Sequence, residues 1–309
     1  MQLCMYRTPA SPKPRVGLSF DGVVHDLESG WEIVGSDRQP PRDVLDAIQH
    51  WDAVGGTVLK LRDLAADPRW QPVAGAELTL PFPEPVRDAF AIGGNYSKHV
   101  EATSKTTGVE LTKRKNPVFF MKPTGAFSGP TDPIEYDPSF TERVDYEVEL
   151  GVVIGRDGRD ITREEAMDYV FGYLVVNDVS ARDVMLRNKP QIDHFRGKGL
   201  DTFFPMGPGV TLRDEIADYR DLRLTLRVNG ELKQDEVAGG MTRDIPEIIA
   251  ELSSSLTLRA GDIIATGTPS GVAQEAEQPV FLMPGDVVET EISGLGRLVN
   301  RVQTRTRVA

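Results

Sequence analysis

Beyond residue 90 the chain is a succession of short runs in which apolar and polar residues alternate, cut by Gly and Pro. AIGGN (91–95), PVFFMKP (117–123), VDYEVELGVVI (144–154) and LVVNDVSARD (174–183) carry strand patterns. So do RLTLRVNGELKQDE (223–236), with Asn229-Gly230 at a hairpin turn, and the segments GDIIATGTPSG and PGDVVETEISGLGRLVNRV. A period of two sends successive side chains to opposite faces, so such runs must pair with one another as sheets. Two stretches break the rhythm. TREEAMDYVFGY (162–173) reads as a helix, with Thr162 and Glu165 at capping-box spacing. IPEIIAELSSSLTL (245–258) is amphipathic, apolar at 245, 248, 249, 252 and 256. Many strands with few helices between them argue against a doubly wound parallel sheet and for an α+β fold dominated by sheet.

The first third of the chain is different. Residues 15–35 suggest a hairpin around Asp21-Gly22, and residues 42–66 have helical spacing interrupted at Gly55-Gly56. The proline-marked stretch LPFPEPVRD (80–88) then suits a linker. We expect a small N-terminal α+β domain over 1–85 and a catalytic domain over 86–309. No segment approaches the ~20 apolar residues of a membrane span, and the N-terminus has no signal-like apolar core. The single Cys4 excludes an internal disulfide and fits a reducing cytoplasm. A formal charge of −12 argues against nucleic acid or an anionic membrane as the main partner. There is no P-loop, GxGxxG, HExxH or GxSxG.

In VDYEVELGVVIG (144–155), Glu147 and Glu149 stand two apart and so leave a strand on one side, with Val148 and Leu150 on the other. Two carboxylates that close repel unless something positive lies between them. Asp178, where an apolar strand turns polar in VVNDVSARD, is a third acid. Three oxygen donors with no cysteine nearby suit Mg²⁺, or Mn²⁺ in its place, rather than zinc. A solvated sheet face can carry the same E-x-E pattern, so the pair alone leaves both readings open.

The stretches AIGGNYSKHVEA, NPVFFMKPTGAFSGPTDPI, TERVDYEVELGVVIG, NDVSARDVM, GKGLDTFFPMGP, VNGE and GDIIATGTPSGV follow in this order. Together they resemble the fumarylacetoacetate hydrolase family over roughly residues 85–300. The resemblance implies an α+β fold of layered, rolled β-sheet, a homodimer, and a divalent cation, Mg²⁺ or Mn²⁺. It also implies a small-molecule 2-oxo acid substrate bearing a second carbonyl or enol. Carried over position by position, Glu147, Glu149 and Asp178 match the metal triad. Lys198 in GKGLDTF matches a substrate-facing lysine, Thr268 in TGTP a threonine contacting the substrate carboxylate, and His99 in NYSKH the catalytic histidine. Arg182 in SARD is placed near the metal site, and Lys122 in FFMKP is a candidate for anion binding or for pairing with a ligand carboxylate.

Two positions depart from the family pattern. The water-activating glutamate often found three residues after the histidine is Ala102 here, which leaves Glu101 as the candidate partner of His99. Met185 replaces a frequent glutamine. The expected reaction is metal-dependent C–C hydrolysis of a 2,4-dioxo acid, acylpyruvate- or fumarylpyruvate-like, to pyruvate or a related 2-oxo acid plus a carboxylate. A decarboxylase or enol–keto isomerase of the same family is the alternative. The polar stretch 100–116 is expected to be a lid, His194 a packing residue, and Asp145 and Glu142 solvent-facing.

Overall fold

In the computed structural model, which describes residues 1–110 and 116–305, an eleven-stranded sheet draws strands from between Gln2 and Ala265. Its main path, in hydrogen-bonded order, begins with Val23–Asp26, Ser11–Phe20, Gln2–Thr8, Phe204–Leu212 and Val170–Asn177. It continues through Val148–Ile154, Ile263–Ala265, Ala89–Gly93 and Val118–Lys122. Neighbours are antiparallel except Ile263–Ala265 with Ala89–Gly93. A five-stranded sheet, ordered Glu231–Val237, Arg223–Val228, Val287–Ile292, Gly296–Thr304 and Ile134–Tyr136, forms a second layer. This is the sheet-dominated α+β class that the alternation pattern called for.

The two faces of the large sheet have separate cores, as a period of two requires. Val148, Leu150, Val152 and Ile154 pack with Leu224, Leu226, Leu298 and helix residues Ile249 and Leu252. Val153, Leu174, Val176 and Ile263 instead lie under Leu27, Trp31, Val58 and Leu61 of the N-terminal helices. The N-terminal segment enters the sheet directly, with Gln2 and Leu3 paired to Thr211 and Val210. Among the described residues no helix is long and apolar enough to cross a membrane.

The hairpin expected at Asn229-Gly230 forms, and so does the turn at Asp21-Gly22, but the second arm there is only Val23–Asp26, because Asp26 caps a helix over Leu27–Val34. Both turns have two successive left-handed residues, Asp21-Gly22 (φ 49° and 83°) and Asn229-Gly230 (φ 52° and 81°), the backbone that matches strand twist in a two-residue loop. Three other expectations need correction. The helical stretch 42–66 breaks at His50, not at Gly55-Gly56, giving helices Val44–Gln49 and Trp51–Arg62. Gly55 makes room for an indole: a Cβ there would stand 2.6 Å from Trp51 Cε2. Residues 162–173 do not form a long helix. Thr162 and Glu165 do make their capping contacts, but only Ala166–Tyr169 turns helically, because Val170 onward is taken into the centre of the sheet. The 144–154 strand is interrupted at Tyr146–Glu147, leaving Val144–Asp145 and Val148–Ile154.

Candidate active site

That interruption is where the acids gather. Val148 is opposite Asn177 at the ends of two central strands. The Glu147 N–H donates to Asn177 Oδ1 at 2.9 Å, and the Asp178 N–H donates to the Glu147 carbonyl at 2.9 Å. Side chain and turn thus replace the ladder, and both strand ends point their acids the same way. Glu147, Glu149 and Asp178 each present an oxygen within 4.8 Å of the other two, all buried. They come together as the sequence suggested, although not from one uninterrupted strand.

Three cations meet them. Lys198 Nζ lies 2.7 Å from Glu147 Oε2 and 2.6 Å from Asp178 Oδ2. Lys122, fully buried, lies 2.7 Å from Asp178 Oδ1 and donates to the carbonyls of Val179 and Phe203. Burial draws its pKa down to about 8 against the pull of Asp178. It holds the acid from beneath and is not among the residues lining the cavity. Arg182 Nε donates to Asp145 Oδ2 at 2.8 Å, and its Nη2 lies 2.7 Å from Glu147 Oε1. Asp145 is therefore not solvent-facing. It is fully buried and also accepts the main-chain N–H groups of Ala273 and Gln274, whereas Glu142 is exposed as expected.

Four acids (Asp145, Glu147, Glu149, Asp178) against three bases (Lys122, Arg182, Lys198) leave one negative charge in a buried cluster. The imbalance falls on Glu149. Burial, then the charges of Asp178 and Glu147, hold its carboxyl well above the usual range, while the Gly267 N–H donates to it at 2.7 Å. Burial also acts on Glu147, but there Lys198, Arg182 and His99 prevail and keep it below that range. Asp178 Oδ1, for all its closeness to Lys122, lacks a well-directed hydrogen bond. Hard oxygen donors, a carboxyl whose ionisation its neighbours oppose and an under-satisfied oxygen fit a divalent cation such as Mg²⁺ or Mn²⁺.

A thermal consequence follows from the sign of the Glu149 shift. A carboxyl raised in the fold stabilises it fully below its unfolded value of 4.5, and that contribution fades as pH rises through the folded value. The cation competes with that proton. Mn²⁺ is therefore expected to raise Tm more at neutral pH than near pH 4.5, as a thermal-shift titration at both would report.

Glu147, Glu149, Asp178, Arg182, Lys198 and Thr268 all line one cavity of about 330 Å³, with His99 and Glu101 on its wall. His99 is carried by helix Ser97–Thr107, which ends on Gly108 in the left-handed region (φ 70°). Its partner is neither Glu101, which is exposed, nor anything at Ala102. His99 Nδ1 lies 2.5 Å from Glu275 Oε1, and the other Glu275 oxygen accepts the Gly271 N–H at 2.7 Å. Glu275 had no signal in the sequence beyond lying in GVAQEAE, after the TGTP turn. His194 is also on the cavity wall, stacked on Phe120 with ring centroids 4.7 Å apart. Met185 lines the cavity too, and Gly197 allows it there: a Cβ on Gly197 would stand 2.0 Å from Met185 Cγ. Of the expected lid, residues through Thr107 are helical, with the Thr107 carbonyl held by Lys189 at 2.9 Å, while 111–115 lie outside the described residues.

Comparison with known proteins agrees in both sequence and fold. The family model for the fumarylacetoacetate (FAA) hydrolase C-terminal region matches residues 88–303. An oxaloacetate tautomerase of Bacillus subtilis, YisK, is 36% identical over 294 residues, covering 93% of this chain and 95% of its own. A fumarylacetoacetate hydrolase structure from Exiguobacterium antarcticum superposes with a TM-score of 0.78 at 33% identity, covering 99% of this chain and all of that one. Maleylpyruvate hydrolase from Sphingobium sp. SYK-6, solved with manganese(II) and pyruvate, gives 0.74 at 30% identity with the same coverage.

Proposed function

The chain belongs to the fumarylacetoacetate hydrolase family, and from that premise we propose that it interconverts the enol and keto forms of a 2-oxo acid with divalent-metal assistance. The observation that carries this reading is the His99–Glu275 pair on the wall of the cavity that holds the acid cluster. Enolisation needs one group that takes a proton from carbon and gives it back, beside a place where the enolate oxygen is stabilised. A tautomerase name on a relative 36% identical along nearly the whole chain supports it.

Glu147, Glu149 and Asp178 would hold a divalent cation, and when bound it would supply Lewis-acid polarisation of the 2-oxo group. The rest is the work of the chain. Glu275 accepts a hydrogen bond from Nδ1–H and so leaves the His99 lone pair on Nε2. Towards the enol, Nε2 removes a proton from C3 of the keto form and passes it, with exchange against water, to the enolate oxygen. Towards the keto form the enol O–H proton leaves by the same route and Nε2 protonates C3. Lys198 has two of its three donors on Glu147 and Asp178, and the third is available to the enolate oxygen. Phe120 and His194 form a flat aromatic wall suited to a planar enol.

C–C hydrolysis of a 2,4-dioxo acid is the second reading, favoured by the same pair: with Glu275 in place, Ala102 no longer deprives His99 of a carboxylate for activating water. Product analysis separates the two. Enol oxaloacetate and an acylpyruvate are incubated in D₂O with Mn²⁺, with Glu149→Gln protein as the control for free metal. Deuterium at C3 without loss of carbon supports tautomerisation. Stoichiometric pyruvate and carboxylate from the acylpyruvate would replace it with hydrolysis, and CO₂ from oxaloacetate with decarboxylation.

A further inference from the structure

Behind the acids lies a closed ring of hydrogen bonds that the proposed chemistry does not use. Val148, the residue between Glu147 and Glu149, donates its N–H to Gln234 Oε1 at 3.0 Å. Gln234 Nε2 donates to Thr268 Oγ1 at 2.8 Å and to the Pro269 carbonyl at 2.8 Å. Thr268 Oγ1 closes the ring by donating to the Val148 carbonyl at 2.9 Å. All three residues are buried, with exposures of 0%, 1% and 2%.

The ring stands where the sheet gives out. Ile263–Ala265 pairs with Gly151–Val153, and Thr266 extends the contact to the Leu150 carbonyl. At Val148 two side chains from distant parts of the chain serve as the missing strand. The adjacent Gly267 N–H grips Glu149 itself at 2.7 Å. A hydroxyl has one proton, and in this ring that of Thr268 is directed at the Val148 carbonyl.

We propose that Gln234 and Thr268 are positioning residues of the metal site: by fixing both polar groups of Val148 they set the spacing and aim of the flanking Glu147 and Glu149 carboxylates. This rests on the reading of those acids as metal ligands. Outer partners that orient a ligand typically change metal affinity 10–100-fold when lost. The test is Mn²⁺ titration followed by the electron paramagnetic resonance of the free ion, with Tm measured alongside. Thr268→Val, equal in shape but without the hydroxyl, is expected to weaken Mn²⁺ binding by about 10-fold or more, with KM at saturating Mn²⁺ changed by less than about 3-fold. Thr268→Ser keeps the proton and is expected to bind like wild type. Gln234→Met, similar in length and lacking all three hydrogen bonds, is the second variant should Thr268→Val fail to fold, with the same loss expected. Equal affinity in all variants, with KM raised in Thr268→Val, overturns the proposal and makes Thr268 a substrate contact. Wild-type protein that leaves the Mn²⁺ signal untouched overturns the metal reading, and the ring's role with it.

Discussion

Glu149→Gln is expected to lower Mn²⁺-dependent turnover by about 10³-fold or more, about 4 kcal/mol of transition-state stabilisation, while its cation-free form unfolds at a higher temperature than wild type at neutral pH. The two effects have one cause. Glutamine keeps the size of the side chain and an acceptor for the Gly267 N–H, but removes the charge that Asp178 and Glu147 crowd. What the bare fold gains, the loaded site loses. Asp178→Asn separates the effects from the other side. It withdraws the charge that both Lys122 and Lys198 rest on, and Lys122 has no exposure to water. Breaking a buried ion pair in this way costs about 3–5 kcal/mol, so this variant should be inactive and also less stable. Chemical denaturation of the two metal-free variants beside wild type measures the contrast. A Glu149→Gln protein that keeps full activity would remove the acid cluster from the mechanism.

The second large effect belongs to the imidazole. His99→Ala is expected to reduce kcat by about 10²–10⁴-fold, the range of a positioned general base, with little change in KM. Glu275→Gln should fall in the same direction, because the amide can present its N–H to Nδ1 and leave the imidazole with the wrong tautomer. A pair that acts as one unit is not additive, so the double variant should be scarcely worse than His99→Ala alone. Glu101→Gln, on an exposed position of the same helix, should stay within about 2-fold of wild type, as expected of a surface change. Steady-state kinetics on the four proteins decides between Glu275 and Glu101 as the partner of His99.

Why three acids were legible and Glu275 was not is a matter of sequence distance. Glu147, Glu149 and Asp178 sit in strand-like words whose period announces which side chains share a face. Glu275 is 176 residues from His99 and meets it only because helix Ser97–Thr107 packs on the turn at Ala273–Glu275. Nothing local to either residue encodes that meeting. Gln234 is hidden for a related reason. In ELKQDE it looks like one more polar residue of a surface hairpin, and only the second sheet's packing buries it against Val148.

The misreadings have the same origin. Alternation across VDYEVEL suggested an unbroken strand, whereas at the break the Asp145 and Asn177 side chains take the N–H groups of Tyr146 and Glu147. The capping pair at Thr162 and Glu165 is real, but a local signal of that size cannot hold Val170–Tyr173 out of a central strand. Turns, which depend on one or two residues, were the easiest to see: Asp21-Gly22 and Asn229-Gly230 are where their dipeptides put them.

The resident lysines and arginine also bear on how the molecule comes of age. With three of its acids' charges already answered by its own side chains, the polypeptide can finish folding before it encounters any ion, unlike a finger that collapses only around zinc. An ion held by these acids would then join a finished fold rather than create one.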